Sequence, residues 1–175
     1  MWLQKTLYRL EQVRQQLGFV ALLSDEEHVE VGRLLPESAL PLFYSMSPAD
    51  QRHSLRVCRG LRADGCTEED LLAAALLHDV GKAYGQVPFW TRPIIVLGKR
   101  FFPASLKRTV LPPPQLHTVK VAWWRRSLSY AWWHAEVGAD LAAEAGLSER
   151  AVLYIRTHHQ PHGPAAKLYL VDEVS

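Results

Sequence analysis

Apolar residues recur at three- and four-residue intervals along most of this chain, and no stretch alternates apolar and polar residues as a half-buried strand does. The first such pattern predicts an amphipathic helix over residues 3–17 that ends near Gly18. Another covers residues 121–145 without a proline and predicts a helix that Gly146 terminates. We therefore expect an all-α fold, and 175 residues fit a single compact domain.

Helix start signals divide the N-terminal part of the chain. Ser24 and Glu27 have the spacing of a capping box, in which each side chain accepts a backbone amide of the first turn. A helix is therefore expected from Ser24 to about Leu35, and a short one over residues 36–46 with Pro41 weakening its middle. Residues 1–46 are expected to pack as N-terminal helices on a bundle formed by residues 47–175.

The bundle region begins with Ser47 and Pro48, a typical helix start because serine caps the end and proline is tolerated in the first turn. That helix is expected to end near Gly65. The polar run at 67–70, with its three acids, is expected to cap the next helix, which is strongly apolar and is expected to stop at Gly81.

Prolines interrupt the segment from about residue 85 to 120, which is also basic and rich in aromatic side chains. Only short helices are expected there, at Ile94–Phe101 and Ala104–Val110. Ser148 favours the start of a later helix that reaches Thr157, and a last short helix is expected over Ala165–Val174.

Charge is unevenly distributed, although the net charge is only +2. No aspartate or glutamate lies between Val80 and Ala135, and nine of the 20 basic residues lie there. This asymmetry indicates an anionic partner, although a charge run is more often a solvated face. Aromatic side chains lie among these cations, which suits peripheral contact of the 80–135 segment with an anionic membrane or nucleic acid. The two cysteines lack metal-binding spacing and no secretory signal is recognised, so a cytoplasmic protein with reduced thiols is expected.

Histidines and aspartates on or at the ends of predicted helices, each beside apolar residues, are candidate metal ligands: His53, His78, Asp79, His134, His158, His159 and Asp172. Imidazole and carboxylate ligands suit manganese, iron, nickel, cobalt or zinc. A single such histidine is more often an ordinary core residue, but seven buried polar side chains would each need a partner. Together they favour a metal site over a structural polar network.

The order of these residues, H…HD…H…HH…D with HDVGK at the second position, resembles the HD superfamily of metal-dependent phosphohydrolases from about residue 50 to the C-terminus. The HDVGK sequence is HDIG-like. His134 and the His158-His159 pair are similar to the HD-GYP branch, which cleaves cyclic di-GMP, but residues 160–164 lack the GYP loop.

The resemblance implies an all-α HD fold that binds one or two divalent transition-metal ions. One ion would lie among His53, His78, Asp79 and Asp172. A second would lie among His134, His158 and His159, with Asp79 as the bridge between the two.

The implied activity is hydrolysis of a phosphate monoester or diester by metal-activated hydroxide. The implied partner is therefore a phosphorylated small molecule or a nucleotide. Asp79 is expected to orient the nucleophile. Lys82 is expected to neutralise phosphate charge, because related proteins place a phosphate-binding lysine there. Arg92, Arg125 and Arg126 are predicted as further phosphate contacts because they lie in the basic segment.

A non-catalytic role is the alternative. In it, the HD-type site acts as a sensor for a metal or nucleotide, and the basic aromatic segment docks a membrane or nucleic acid. Lys82 would then serve as a cation at a helix C-terminus. The complete ligand set favours the enzyme, because a docking module has no use for an open metal site.

Overall fold

The structure is a computed structural model, and it describes residues 20–84, 87, 91–116 and 118–175. Within these ranges every regular element is a helix, so the predicted all-α fold is confirmed. The helix predicted over residues 3–17 lies outside the described residues. None of the described helices is long and apolar enough to cross a lipid bilayer.

The described α-helices follow one another along the chain with short connections. In order they are α1 (Asp25–Gly32), α2 (Leu40–Ser45), α3 (Pro48–Ala63), α4 (Glu69–Leu77), α5 (Val80–Tyr84), α6 (Thr91–Phe101), α7 (Pro103–Thr109), α8 (Trp123–Glu144), α9 (Glu149–Thr157) and α10 (Ala166–Asp172). Short 3₁₀ turns occur at Glu37–Ala39 and Pro113–Gln115.

The N-terminal start signals act as predicted. The Ser24 hydroxyl accepts the Glu27 amide, and the Glu27 carboxylate accepts the Ser24 amide at 3.0 Å, which completes the capping box. The helix ends at Gly32, earlier than predicted, because Pro36 disfavours a helical conformation at Leu35. Pro41 lies in the first turn of α2, so the predicted 36–46 helix is divided into a 3₁₀ turn and α2.

The predictions around the central helix are only partly confirmed. Ser47 caps α3 through the Asp50 amide at 3.2 Å. The N-cap of α4 is Glu68, which lies in the polar run predicted to cap this helix, but its side chain makes no capping hydrogen bond. The predicted stop at Gly81 is wrong, because α4 ends at Leu77 and Gly81 lies inside α5.

The C-terminal helices largely match their predictions. Helix α6 starts before the predicted Ile94, and α8 covers most of 121–145. Gly146 follows α8 with a φ of 83°, a left-handed conformation that glycine adopts without strain. The Ser148 hydroxyl caps α9 by accepting the Ala151 amide at 3.1 Å.

Helix α4 lies at the centre of the main core. Residues 71–77 are all buried, as expected for a helix that is apolar on every face. Helices α3 and α9 pack against α4, while α5 and α9 pack against α8. Val31 and Phe43 from the N-terminal region belong to the same apolar cluster. This packing holds the C-terminal end of α4 among the ends of several other helices.

A smaller apolar cluster joins α6 and α7 to α8. Its buried members are Ile95, Leu106, Val110, Leu128 and Ala131. The basic aromatic segment is therefore fixed to one side of α8 by a core of its own.

Candidate metal centre

The fold brings together all seven candidate ligands named from the sequence. They come from five places: α3, the α4–α5 junction, α8, the end of α9 and the end of α10. The side chains form two neighbouring groups with an aspartate between them. In each group the ligand atoms lie within 4.8 Å of one another.

The first group is His53, His78 and Asp172. The Nε2 atom of His53 lies 2.8 Å from Oδ1 of Asp172, and Nε2 of His78 lies 3.5 Å from the same oxygen. His78 is fully buried, while the other two side chains are partly exposed. Three different elements thus direct one oxygen and two nitrogens to one point.

The second group is His134, His158 and His159. The Nε2 atoms of His134 and His159 are 2.9 Å apart, and the His134 and His158 ring centroids are 5.3 Å apart. His134 and His158 are buried, whereas His159 is exposed. The second group therefore has an inner side in the core and an outer side that solvent reaches.

Asp79 lies between the two groups. Its Oδ2 is 3.7 Å from Nε2 of His78, and its Oδ1 is 3.5 Å from Nε2 of His134. The Lys82 ammonium donates to Oδ2 at 2.6 Å from the next turn of α5. The two oxygens of a single carboxylate therefore face different histidine groups, as a bridging ligand requires.

Three histidines are held in the same orientation by their own helices. Nδ1 of His78, His134 and His158 contacts the carbonyl oxygen three residues earlier, at 2.9, 2.9 and 2.6 Å respectively. A carbonyl oxygen can only accept, so each Nδ1 carries the hydrogen. In the neutral ring this leaves the lone pair on Nε2, the atom that faces the site. Metal-binding histidines are commonly oriented by such a hydrogen bond.

A glycine contact brings Asp79 beside His134. A Cβ added to Gly81 would lie 2.2 Å from the carbonyl oxygen of His134, and one added to Gly138 would lie 3.3 Å from the Gly81 amide nitrogen. Helices α5 and α8 therefore approach at backbone distance. Since Asp79 precedes Gly81 by two residues, this contact sets the separation of the carboxylate from the second group.

The charge state of the site follows from burial and from the two carboxylates. Burial opposes protonation of His78, but Asp79 and Asp172 outweigh it and raise the pKa of His78 to about 9. Burial lowers the pKa of His158 to about 3 and that of His134 well below its usual range. Burial alone would raise the pKa of Asp172, but its hydrogen bond with His53 and its ion pair with His78 hold that pKa well below the ordinary value.

At neutral pH, two buried imidazoles are thus neutral and have an available lone pair. His78 instead holds a proton between two carboxylates. Binding of a cation at its Nε2 would release that proton.

Buried nitrogen atoms without hydrogen bonds indicate whether these histidines and aspartates fit a metal. The buried Nε2 atoms of His78 and His158 have no hydrogen-bond partner among the described residues. The nearest carboxylate oxygens of Asp79 and Asp172 lie 3.7 and 3.5 Å from Nε2 of His78, so they form ion pairs with His78 but no hydrogen bond. Two imidazole nitrogens bound to one ion at about 2.1 Å lie roughly 3.0–3.4 Å apart. The 2.9 Å between His134 and His159 is close to that separation, so the donors fit a metal better than a polar network.

The arginines predicted to contact phosphate are not brought into this cluster by the described contacts. The Arg125 guanidinium donates to the Thr109 carbonyl at 2.7 Å, and Arg126 donates to the Val119 carbonyl at 3.3 Å. Both precede His134 by more than two turns of α8. Arg92 lies on α6, and its side chain is outside the described part of the chain. Phosphate binding by these residues stays a prediction.

Sequence reasoning missed the glycines that allow the ligand helices to meet. Besides Gly81 and Gly138, a Cβ on Gly60 of α3 would lie 2.6 Å from the Val171 side chain, next to Asp172 on α10. The available signal is a glycine inside an otherwise helical pattern. Glycine lowers the stability of a helix, so its presence there suggests that close packing requires it. Gly60 and Gly138 both interrupt such patterns.

Comparison with known proteins gives no family assignment. No family model, curated protein or solved structure matches the chain. The chemistry of the site therefore rests on its own residues.

Proposed function

We propose that the protein is a metal-dependent phosphohydrolase that acts on a phosphate monoester or diester. One observation carries the proposal: two histidine groups share one buried aspartate, and each group contains a buried imidazole nitrogen that makes no hydrogen bond to the described residues. The resemblance to the HD superfamily in the order of these residues supports the same activity.

The residues divide into two candidate metal positions. His53, His78 and Asp172 would hold one ion, and His134, His158 and His159 a second, with Asp79 shared. Two divalent ions supply Lewis acidity and an activated nucleophile for displacement at phosphorus. Neutral His134 and His158 need not lose a proton to act as ligands, which favours metal loading at neutral pH.

The side of the second group that solvent reaches is where substrate would enter. His159 is exposed there, and Lys82 is partly exposed beside Asp79. The Lys82 ammonium would neutralise charge on a phosphate oxygen and hold the ester next to the carboxylate. His78, fully buried behind them, would orient the first ion without touching the substrate.

Hydrolysis assays with defined esters test the activity. The protein, reconstituted separately with manganese, iron, cobalt, nickel and zinc, is assayed on p-nitrophenyl phosphate and on bis(p-nitrophenyl) phosphate. We expect metal-dependent release of nitrophenol from at least one ester. Asp79→Ala should reduce the rate by at least about a hundredfold, because removal of even an indirect metal contact lowers activity by 10–100-fold.

His28→Gln provides the matched control, because His28 is exposed and contacts only Tyr44 among the described side chains. It should retain the wild-type rate. Full activity in Asp79→Ala, or no hydrolysis of either ester with any of the metals, would contradict the proposal.

A further inference from the structure

Helix α6 exposes an apolar stripe. Ile94, Leu97 and Phe101 are spaced at three and four residues, so they share one side of the helix, and they are 44%, 56% and 63% exposed. Phe102, which follows the helix, is 68% exposed. On the adjoining side of the helix, Ile95 is buried in the small cluster with α7 and α8. The apolar arc of α6 is thus only partly covered, and exposed apolar patches of this kind mark interaction sites.

Exposed cations accompany the stripe. Arg100 lies on α6, and Lys107 and Arg108 lie on α7, which packs against α6. No carboxylate occurs anywhere in the sequence between Val80 and Ala135. A surface that combines large apolar side chains with cations, and has no acidic residues in its own segment, is complementary to anionic headgroups above a hydrocarbon layer.

We infer that this α6 surface (Ile94, Leu97, Phe101 and Phe102, with Arg100, Lys107 and Arg108) docks on the surface of an anionic lipid bilayer. The aliphatic residues distinguish a bilayer from a nucleic acid. Single-stranded nucleic acids are bound by aromatic platforms and cations, and exposed isoleucine and leucine gain little there. In a bilayer each of these side chains leaves water, and the long basic side chains reach the headgroups.

Two tryptophans extend the same chemistry at the start of α8. Trp123 and Trp124 are 66% and 45% exposed, and tryptophan is enriched where proteins meet the interface of a membrane. The Arg125 hydrogen bond to Thr109 fixes this first turn of α8 against the end of α7. The side chains that hold the docking surface, such as Leu128 and Ala131 of α8, are not metal ligands, so the inference does not depend on the proposed hydrolysis.

Vesicle cosedimentation tests the inference directly. The full-length protein is mixed with vesicles of phosphatidylcholine alone or of phosphatidylcholine with phosphatidylglycerol, at low and at raised salt. We expect binding to the anionic vesicles that weakens as salt increases, and much weaker binding to the neutral ones.

Matched variants distinguish binding through the α6 surface from non-specific hydrophobic adsorption. Leu97→Ser and Phe101→Ser should each weaken the partition coefficient by about tenfold or more, the value of one buried large apolar side chain. Leu170→Ser removes a leucine on α10 that is 63% exposed, and it should leave binding unchanged. Lys107→Glu should weaken binding by roughly fivefold for each unit of charge, whereas the exposed Lys167→Glu on α10 should not.

Three results would overturn the inference. One is no retention on anionic vesicles at low salt. Another is an equal loss of binding in Leu97→Ser and Leu170→Ser. The third is tighter binding to a single-stranded oligonucleotide that Lys107→Glu abolishes and Leu97→Ser leaves intact, which would assign the surface to nucleic acid. Asp79→Ala should bind vesicles like the wild type, so failure of the proposed hydrolysis would leave this result unaffected.

Discussion

At the scale of single residues, the same hydrogen bond from Nδ1 to a backbone carbonyl orients three histidines. Each donates its Nδ1 hydrogen to a backbone carbonyl three residues earlier and directs Nε2 into the site. Two of these Nε2 atoms are buried and make no hydrogen bond to the described residues. A buried polar atom that lacks a hydrogen bond costs about 1–3 kcal/mol. The proposed metal would remove this cost, because both nitrogens would then be ligands.

His158→Leu tests this interpretation in the protein without metal. Leucine has a similar volume and removes the unsatisfied Nε2, but it also loses the hydrogen bond from Nδ1 to the Ile155 carbonyl. These effects oppose each other, so the free energy of unfolding in EDTA should change by no more than about 1 kcal/mol. Added metal should stabilise the wild type by about 2.7 kcal/mol at a hundred times its dissociation constant, and the variant far less. The measurement is denaturant unfolding with and without metal.

A large loss of stability in EDTA would contradict the prediction, because it would make His158 part of a structural network. His28→Leu is the control. Because the His28 ring is exposed, this substitution should change neither the unfolding free energy in EDTA nor the stabilisation by metal by more than about 0.5 kcal/mol.

At the scale of helices, starts were predictable and ends were less so. Ser24, Ser47 and Ser148 cap their helices through amides three residues away, and such local contacts are visible in sequence. The predicted helix boundary near Gly81 is wrong because this glycine lies inside a helix and does not end one. Its actual requirement is the close approach of α5 to α8, a contact between residues 53 positions apart that no local pattern reveals.

Gly81→Ala tests the close approach. The added Cβ would lie 2.2 Å from backbone, which cannot rotate away, so α5 and α8 must separate. We expect a loss of stability of about 1–3 kcal/mol or more, and weaker metal binding since Asp79 moves with α5. The measurements are denaturant unfolding and metal titration.

Gly32→Ala is the matched control, because nothing lies within 4 Å of its added Cβ and it ends a helix. That variant should be neutral or more stable by up to about 1 kcal/mol, since alanine favours helix. Equal stabilities for the two variants would show that the α5–α8 contact does not constrain the site.

At the scale of the whole molecule, the site joins residues from His53 to Asp172. The all-α class followed from periodicity, and the candidate ligands followed from their places on or at the ends of predicted helices beside apolar residues, in an order that resembles a known superfamily. Their division into two groups around Asp79 is implied by the resemblance, but no local pattern reveals it, because it depends on how α3, α8, the α4–α5 junction and the ends of α9 and α10 pack together. The roles of Arg92, Arg125 and Arg126 could not be assigned from charge alone, because basic side chains also cap helix ends, as Arg125 does for α7.

Elemental analysis, with metal atoms counted per chain, tests whether the two histidine groups bind metal. The protein is analysed as purified and after reconstitution with manganese, iron, cobalt, nickel and zinc, in each case after removal of unbound ions. We expect one or two tightly bound ions per wild-type chain and almost none in Asp79→Ala. A wild-type chain that holds no metal under any of these conditions would contradict this expectation.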